Sequence, residues 1–495
     1  MFALLAGTAS ILLASPMFPT QDGPVHLYYA DVLRGVLTNS APYAQHFAIK
    51  SLLTPYALEY YSLLALETVF SPAVSEKVLI LCYIFAFVLG FRYLVESVAE
   101  RGSPWILTGV PFCMHMLVYM GFLNFSFAVT LLLFLCGAWI RFSGSLTTGR
   151  VAGLLGGLVL MLLTHPVPVA VFLLFIGVHL VCDIAADSRR WRESLRVRRR
   201  SLTLMLAMGA IALVWIGRFV GGQGDAIGQN HASTWGWFIA VATELQLYPV
   251  APFTSLLYRA GPIVSTAFAC VTLIAGFRRG KSVAAIALLA TSAICFLLYC
   301  IVPERVSGGY YFAERFPILW ILFLLAGASA VPMPRAWSTT AGAIAAVIAG
   351  GALLQQWVKV SEIGSQIAQI QDVQPAAPES VGLIVGPRRG MPEGLAFNPY
   401  LWSGVHYFRR SQAILANDPW LEMPVMMLRP AHPDRWSYRD PDAARQELEI
   451  ATAGGQPDFV LQAGRVDWEI DSWMKRSGWS DFGQSNRFIR VYRRR

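Results

Sequence analysis

Pro19-Thr20-Gln21-Asp22-Gly23-Pro24-Val25-His26 follows directly on the first apolar stretch of the chain. An acid and an imidazole at the mouth of an apolar run are out of character. Charge is costly in or near lipid, so such groups are functional candidates by default. Pro24 starts a helix, which puts Asp22 or Gly23 at its N-cap. Two readings of Asp22 stay open. It caps the helix by accepting backbone N–H bonds, or it is a carboxylate at the membrane surface acting as general base or metal ligand. His26 lies four residues on and reaches the same space.

The surrounding composition sets the class. Of 495 residues, 55% are hydrophobic and 14% charged, with a mean hydropathy of +0.51. That excludes an ordinary soluble protein of this size. Apolar runs long enough for a hydrocarbon core of about 30 Å recur along the front two-thirds. The spacing predicts eleven spans: Met1–Met17, Val78–Val98, Trp105–Met120, Phe127–Ile140, Val151–Leu163, Val167–Ile184, Leu202–Val220, Pro262–Phe277, Ser282–Val302, Ile318–Val331 and Thr340–Leu354. The opening stretch has neither a basic n-region nor a small-x-small site, and it reads as an uncleaved anchor. The seven cysteines fall in apolar runs with no disulfide or metal spacing and read as small buried hydrophobes.

The net charge of +9 sits in the loops. With the N-terminus inside, Arg101, then Arg141 and Arg150, then the Arg189–Arg200 cluster, then Arg278, Arg279 and Lys281, then Arg335 all fall on one side. This is the positive-inside pattern, and no nucleic-acid partner is expected. The same parity settles Ser51–Phe70, which carries Pro55, Glu59 and Glu67 and reads as a helix in the interface. His26–Thr38 is amphipathic too, with Tyr29, Val32, Leu33, Val36 and Leu37 on one face and Asp31 and Arg34 opposite. The first outer loop is therefore built from amphipathic helices.

After Leu354 the composition turns polar, and parity places that region outside. Val381–Val385, Phe459–Gln462 and Phe488–Tyr492 read as strands, and Pro441–Thr452 as a helix. The expected fold is an all-α membrane bundle of about eleven spans (residues 1–355), followed by a small α/β or α+β extracytoplasmic domain (residues 356–495).

This layout resembles the GT-C glycosyltransferases, and within them the lipid A aminoarabinose transferases and protein mannosyltransferases. The pieces that carry the resemblance are Asp22-Gly23-Pro24-Val25-His26-Leu27-Tyr28-Tyr29-Ala30, Thr54-Pro55-Tyr56-Ala57-Leu58-Glu59-Tyr60-Tyr61 and Ser75-Glu76-Lys77-Val78. They cover the first hundred residues. The resemblance implies a transferase in a bacterial inner membrane, moving a sugar from a polyprenyl-phosphate donor to a glycan, lipid or protein acceptor on the outer face. It implies that Asp22 activates the acceptor or positions a divalent ion such as Mg or Mn. The chain departs from the pattern at Gly23, where many members carry a second acid. Asp31 or His26 are the candidates to replace it.

A lipid phosphate needs a fixed cation, and Arg binds it in bidentate fashion. Pro303–Phe316 lies between two spans on the outer side. It offers Arg315 first and Arg305 second, with Tyr310 between them. A pairing of Arg315 with Glu314 is the structural alternative. His165, in the turn Thr164-His165-Pro166, is a further candidate for the substrate site. His115 and His179 lie within spans and read as helix–helix hydrogen bonds. The loop Gly221–Ala260 carries Trp235, Trp237 and Tyr248, which suit a sugar or the membrane interface. The glycine strings at 221–224 and 386–390 have no P-loop lysine and read as turns. On this reading Asp22, His165 and Arg315 face one outward pocket. The competing functions are an inactive GT-C-like scaffold, an O-antigen polymerase or ligase, and a transporter. A transporter would require paired halves and charges in mid-span.

Overall fold

The computed structural model describes residues 2–99, 102–186, 198–220, 253, 256–275, 282–302, 311–331, 334–385, 395, 397–415, 428–430, 457–464, 468–482, 486 and 488–494. The chain opens with α1 (Phe2–Leu13), a bent segment, and α2 (Gly23–Leu37), which carries Pro24 in its first turn. A short turn of helix, α3 (Tyr43–His46), leads into strand β1 (Phe47–Ile49). Tyr56, in a left-handed conformation, turns the chain into α4 (Ala57–Leu66). Helices stand where the sequence places them after the first apolar stretch, but α2 is buried nearly all round from Gly23 to Ala30, and Leu37, expected on its apolar face, is exposed.

The apolar helices follow. They are α5 (Pro72–Val95), the short α6 (Trp105–Gly109) and α7 (Met116–Tyr119), then α8 (Leu123–Phe142), α9 (Thr148–Leu162), α10 (Pro166–Ala186), α11 (Arg199–Val220), α12 (Leu256–Ala275), α13 (Val283–Ile301), α14 (Phe316–Ser329) and α15 (Arg335–Ala368). Their starts obey ordinary capping chemistry. The Thr147 hydroxyl accepts the Arg150 N–H, and the Ser282 hydroxyl accepts the Ala285 N–H.

Among the described residues, six helices are long and apolar enough to cross a membrane. The chain is an integral membrane protein; helices such as α1 (12 residues) and α14 (14 residues) fall short of that length, and two of the expected spans differ in course. Trp105–Met120 is not one helix: a 3-10 turn at Val110–Phe112 and a non-helical link separate α6 from α7. Pro111 is the cause, because it removes a helix-interior donor and its ring clashes with the preceding turn. The last span does not end at Leu354. α15 runs 34 residues, about 51 Å at 1.5 Å per residue, well beyond a hydrocarbon core of about 30 Å.

The chain divides into two compact units. The first comprises Met1–Gly7, Cys82–Leu117 and Leu123–Leu353. Its core is helix on helix. The Ser292 hydroxyl donates to the Trp320 carbonyl between α13 and α14 at 2.9 Å, and Phe175 of α10 stacks on Phe323 of α14. Of the cysteines, Cys113, Cys136, Cys295 and Cys300 are buried, whereas Cys82 and Cys270 are exposed on helix faces. An apolar thiol in a span need not face protein.

The second unit comprises Thr8–Leu81, Val118–Phe122 and Leu354–Arg495. It unites the segment between α1 and α5 with the C-terminal region. There the chain forms β2 (Val381–Val385), α16 (Val405–Ser411), β3 (Ile414–Leu415), β4 (Leu428–Pro430), β5 (Phe459–Ala463), α17 (Trp468–Arg476), β6 (Trp479–Asp481) and β7 (Ile489–Arg494). The five-stranded sheet has the order β3-β2-β5-β7-β6, parallel across the first three strands and antiparallel across the last three. One face packs Leu383, Val385 and Val460 against Ile470, Trp473 and Met474 of α17. Each fully buried side chain of this kind contributes about 1.5–3 kcal/mol. β1 pairs antiparallel with β4, and the Tyr28 hydroxyl of α2 accepts the Leu415 N–H of β3 at 3.1 Å. The helix expected at Pro441–Thr452 lies outside the described residues.

Candidate active site

Asp22 is the N-cap residue of α2, yet its side chain makes no capping bond. The backbone explains why. An N-cap side chain accepts from the second or third amide of the helix. The second residue here is Pro24, which has no N–H, and the third, Val25, donates its N–H to the Asp22 carbonyl at 3.0 Å. Asp22 also has helical φ and ψ (−99° and −12°) instead of the extended angles of an ordinary cap. The capping reading is therefore removed, and the carboxylate is left for other work.

The main chain around it is held on both sides. The Gln21 N–H donates to the Tyr119 carbonyl at 2.8 Å, and the Asp22 N–H donates to the Met120 carbonyl at 3.1 Å. The turn that supplies these carbonyls needs Gly121. Its φ is +86°, and a Cβ there would stand 2.7 Å from the Gly23 nitrogen. Asp22 is only 5% exposed. Burial pushes its carboxyl from an ordinary 3.8 up to about 7, opposed by the Gln21 side-chain amide. That amide lies 3.4 Å from Asp22 Oδ1, a long bond with a correspondingly weak pull.

Gly23 is where the expected second acid is missing, and the packing shows why no side chain stands there. A Cβ at this position would lie 2.0 Å from Thr20 Oγ1 and 2.1 Å from Glu76 Oε1. Glu76, buried and accepting the Thr20 hydroxyl at 2.5 Å, brings a carboxylate to that space from α5. Neither Asp31 nor His26 does so. Asp31 accepts from Arg34 and, at 2.7 Å, from Arg409. His26 Nδ1 is 3.1 Å from the Tyr60 hydroxyl and 3.9 Å from Glu59 Oε1. Burial pushes His26 down to about 4, so the ring is neutral at pH 7 and the Glu59 contact is not an ion pair. Glu76 was visible in the sequence as the acid before the second span, without an assigned role.

Among the described residues, no three His, Cys, Asp or Glu side chains are gathered where they could hold a metal ion. Asp22 brings one carboxylate, and Glu76 is engaged by Thr20.

His165 and Arg315 belong to the first unit. His165 Nδ1 accepts the Val167 N–H at 3.2 Å, which leaves the proton on Nε2, and the ring stands edge-on to Phe125 with centroids 5.3 Å apart. Burial, then the nearby Arg315 guanidinium, hold the imidazole well below its ordinary value and hence neutral. Arg315 ends a 3-10 turn (Ala313–Arg315), leads into α14, and is 7% exposed. The two residues are thus within electrostatic reach of each other. Arg305, Tyr310 and most of the loop 221–260 lie outside the described residues. His115 is corrected: among the described residues neither ring nitrogen has a hydrogen-bond partner, and the ring stands edge-on to Tyr83. The break at Pro111 places His115 in the link before α7 instead of on a helix face.

No protein-family model matches the chain, and no curated protein matches it in sequence. Solved structures do. The chain is similar to ArnT from Cupriavidus metallidurans in the apo state, with a TM-score of 0.56 and 12% identity over 99% of this chain and 96% of that one. It is similar to ArnT bound to undecaprenyl phosphate, with a TM-score of 0.52, 12% identity and the same coverage. The chain has the GT-C fold. The mycobacterial arabinofuranosyltransferase AftD also matches, with a TM-score of 0.51 and 13% identity over 99% of this chain. This chain spans 39% of AftD. At such identities the likeness concerns the GT-C fold alone, and residue roles rest on the geometry above.

Proposed function

We propose that this GT-C chain is a glycosyltransferase that moves a sugar from a polyprenyl-phosphate donor to an acceptor hydroxyl at the outer face of a bacterial inner membrane. The reading rests above all on the buried Asp22 carboxylate, which heads α2 without capping it. The named ligand of ArnT, undecaprenyl phosphate, supports the donor class. The acceptor oxygen attacks the anomeric carbon while its proton passes to Asp22. The bond between the anomeric carbon and the phosphate oxygen breaks, and the phosphate leaves on its polyprenyl chain. Within the first unit, Arg315, in electrostatic reach of His165, is the candidate cation for a lipid phosphate. The C-terminal region, tied to the first outer loop through β1–β4 and Tyr28, is extracytoplasmic in this reading.

Purified protein given labelled polyprenyl-phosphate sugar and an envelope extract as acceptor tests the assignment. A general base contributes about 10²–10⁴-fold, so Asp22→Asn is expected to lose that much in kcat. Arg315→Lys keeps the charge but loses the fork, and is expected to raise the donor KM about tenfold. Undiminished transfer by Asp22→Asn would overturn the reading.

A further inference from the structure

Gln21 has a side chain that the mechanism above does not use, and it is only 7% exposed. Its Oε1 accepts the backbone N–H of Asn398 at 2.9 Å, and its Nε2 faces Asp22 Oδ1 at 3.4 Å. The orientation of this amide is settled by chemistry. The Asn398 N–H only donates, so the oxygen must face it, and the NH₂ is thereby turned toward the carboxylate. The reverse orientation would set two donors against each other and an oxygen against Asp22.

The Asn398 turn is itself braced. Asn398 Oδ1 accepts the Tyr400 N–H at 3.2 Å, the Asn398 carbonyl accepts the Leu401 N–H at 3.2 Å, and Phe397 packs on Tyr119 with centroids 5.2 Å apart. The same Tyr119 supplies the carbonyl that holds the Gln21 N–H. Gln21 is therefore fixed at its main chain by the 118–122 turn and at its side chain by the 397–401 turn.

We propose that Gln21 is a positioning residue, which sets the aim and ionisation of the Asp22 carboxylate according to where the Asn398 turn of the C-terminal region stands. This rests on the assignment of Asp22 as the proton acceptor. Only a primary amide of this length serves both arms. Glutamate keeps the acceptor for Asn398 but cannot donate as an anion, and methionine keeps the length but loses both. At 3.4 Å the donor arm is near its limit, so a small approach of the turn strengthens it and a small retreat releases it.

The ionisable groups on the segments packed here are Glu76 beside Gly23 with Lys77 next to it, His26, Asp31 and Arg34 on α2, and the phenols of Tyr119 and Tyr400 on the two turns. The 118–122 and 397–401 turns carry no carboxylate, imidazole or cation. Substitution of Gln21 leaves all of these in place, so a change in the pH profile reports on the amide.

The test is the pH dependence of kcat/KM for sugar transfer in the full-length wild type, Gln21→Met, Gln21→Glu and Asp22→Asn. The acid limb of the wild type follows Asp22 and lies near pH 7. Gln21→Met is expected to move it upward by about one pH unit. Activity should then fall about tenfold below the limb and approach wild type at high pH. Gln21→Glu, nearly isosteric and able to keep the Asn398 contact, should move it at least as far, because it adds a like charge beside Asp22. A merely structural role would lower activity in parallel at every pH. An acid limb that stays put in Gln21→Glu overturns the proposal, whatever happens to the folding of Gln21→Met. If Asp22→Asn is inactive while both limbs are unmoved, only the Gln21 proposal fails. If Asp22→Asn retains transfer, the general-base reading fails with it.

Discussion

Asp22 and Asp31 lie on the same short helix and meet opposite fates. Asp31 accepts from Arg34 and Arg409, and the same two guanidiniums reach Glu67 at 2.6 and 3.3 Å. Two carboxylates and two cations close on each other, and the result binds α2 and the end of α4 to α16. Asp22 is more deeply buried than Asp31, and no cation stands beside it among the described residues. A buried ion pair is a structural fixture, whereas a buried carboxylate kept without a cation carries a desolvation cost that nothing structural offsets. The comparison separates the clamp from the candidate catalytic group within one element.

The comparison makes its largest prediction at Asp22. With a native pKa near 7 and an ordinary value of 3.8, the folded chain holds a proton between about pH 4 and pH 7 that the unfolded chain has released. Stability therefore falls as pH rises through that window. Above it the buried charge costs up to about 4 kcal/mol. Asn carries no charge. Asp22→Asn should lose about 10²–10⁴-fold in transfer yet unfold later than wild type at pH 8–9 in detergent, with the difference vanishing below pH 4. A variant that loses both activity and stability at pH 9 would mark Asp22 as structural.

At the other end of the comparison, Arg409→Leu should behave as loss of one partner of a buried network. Arg409 is 8% exposed and Glu67 1% exposed at their side chains. Removing the guanidinium leaves the Glu67 carboxylate half-served, at a cost of about 3–5 kcal/mol. Thermal unfolding should fall accordingly, while any protein that remains folded keeps the acid limb of its pH profile, because Asp22 is untouched.

Gly23→Ala is a smaller break at the Asp22 end. The added methyl would fall against the Thr20–Glu76 hydrogen bond, and overpacking of this kind costs about 1–3 kcal/mol. A cycle with Glu76→Ala should be non-additive, the double variant recovering part of the loss as the space clears. Additive losses would mean that Glu76 does not occupy the room of the missing acid.

The sequence carried the helix that Pro24 opens and strands β2 and β5, because each follows from local periodicity or turn chemistry. It did not carry the break at Pro111, since the sixteen mostly apolar residues Trp105–Met120 satisfy a hydropathy window whether or not a proline divides them. The extension of α15 past Leu354 was hidden because polar residues continue a helix as readily as they end a span. Arg409 could not be found at all: its partner Asp31 is 378 residues away, and nothing local distinguishes it from other arginines of a basic chain. Gly23 read as a defect for the same reason, since the side chain that fills its space comes from Glu76, 53 positions later.

Arg34 supplies the smallest and most discriminating effect. It makes the same two kinds of contact as Arg409, with Asp31 and with Glu67. Counting bonds alone would give both arginines equal weight. Exposure decides otherwise: the Arg34 side chain is 43% exposed and that of Arg409 8%. Water and salt screen the outer cation and can replace it when it is removed, so Arg34→Ala should cost about 1 kcal/mol or less. That cost should shrink further at about 1 M salt, where the screening length falls to about 3 Å. The loss in Arg409→Leu should persist at the same salt, because solvent does not reach the Glu67 carboxylate it leaves behind. Equal losses in the two variants, or equal salt dependence, would show that the clamp is solvated throughout and that the contrast with Asp22 is one of partner number and not of burial.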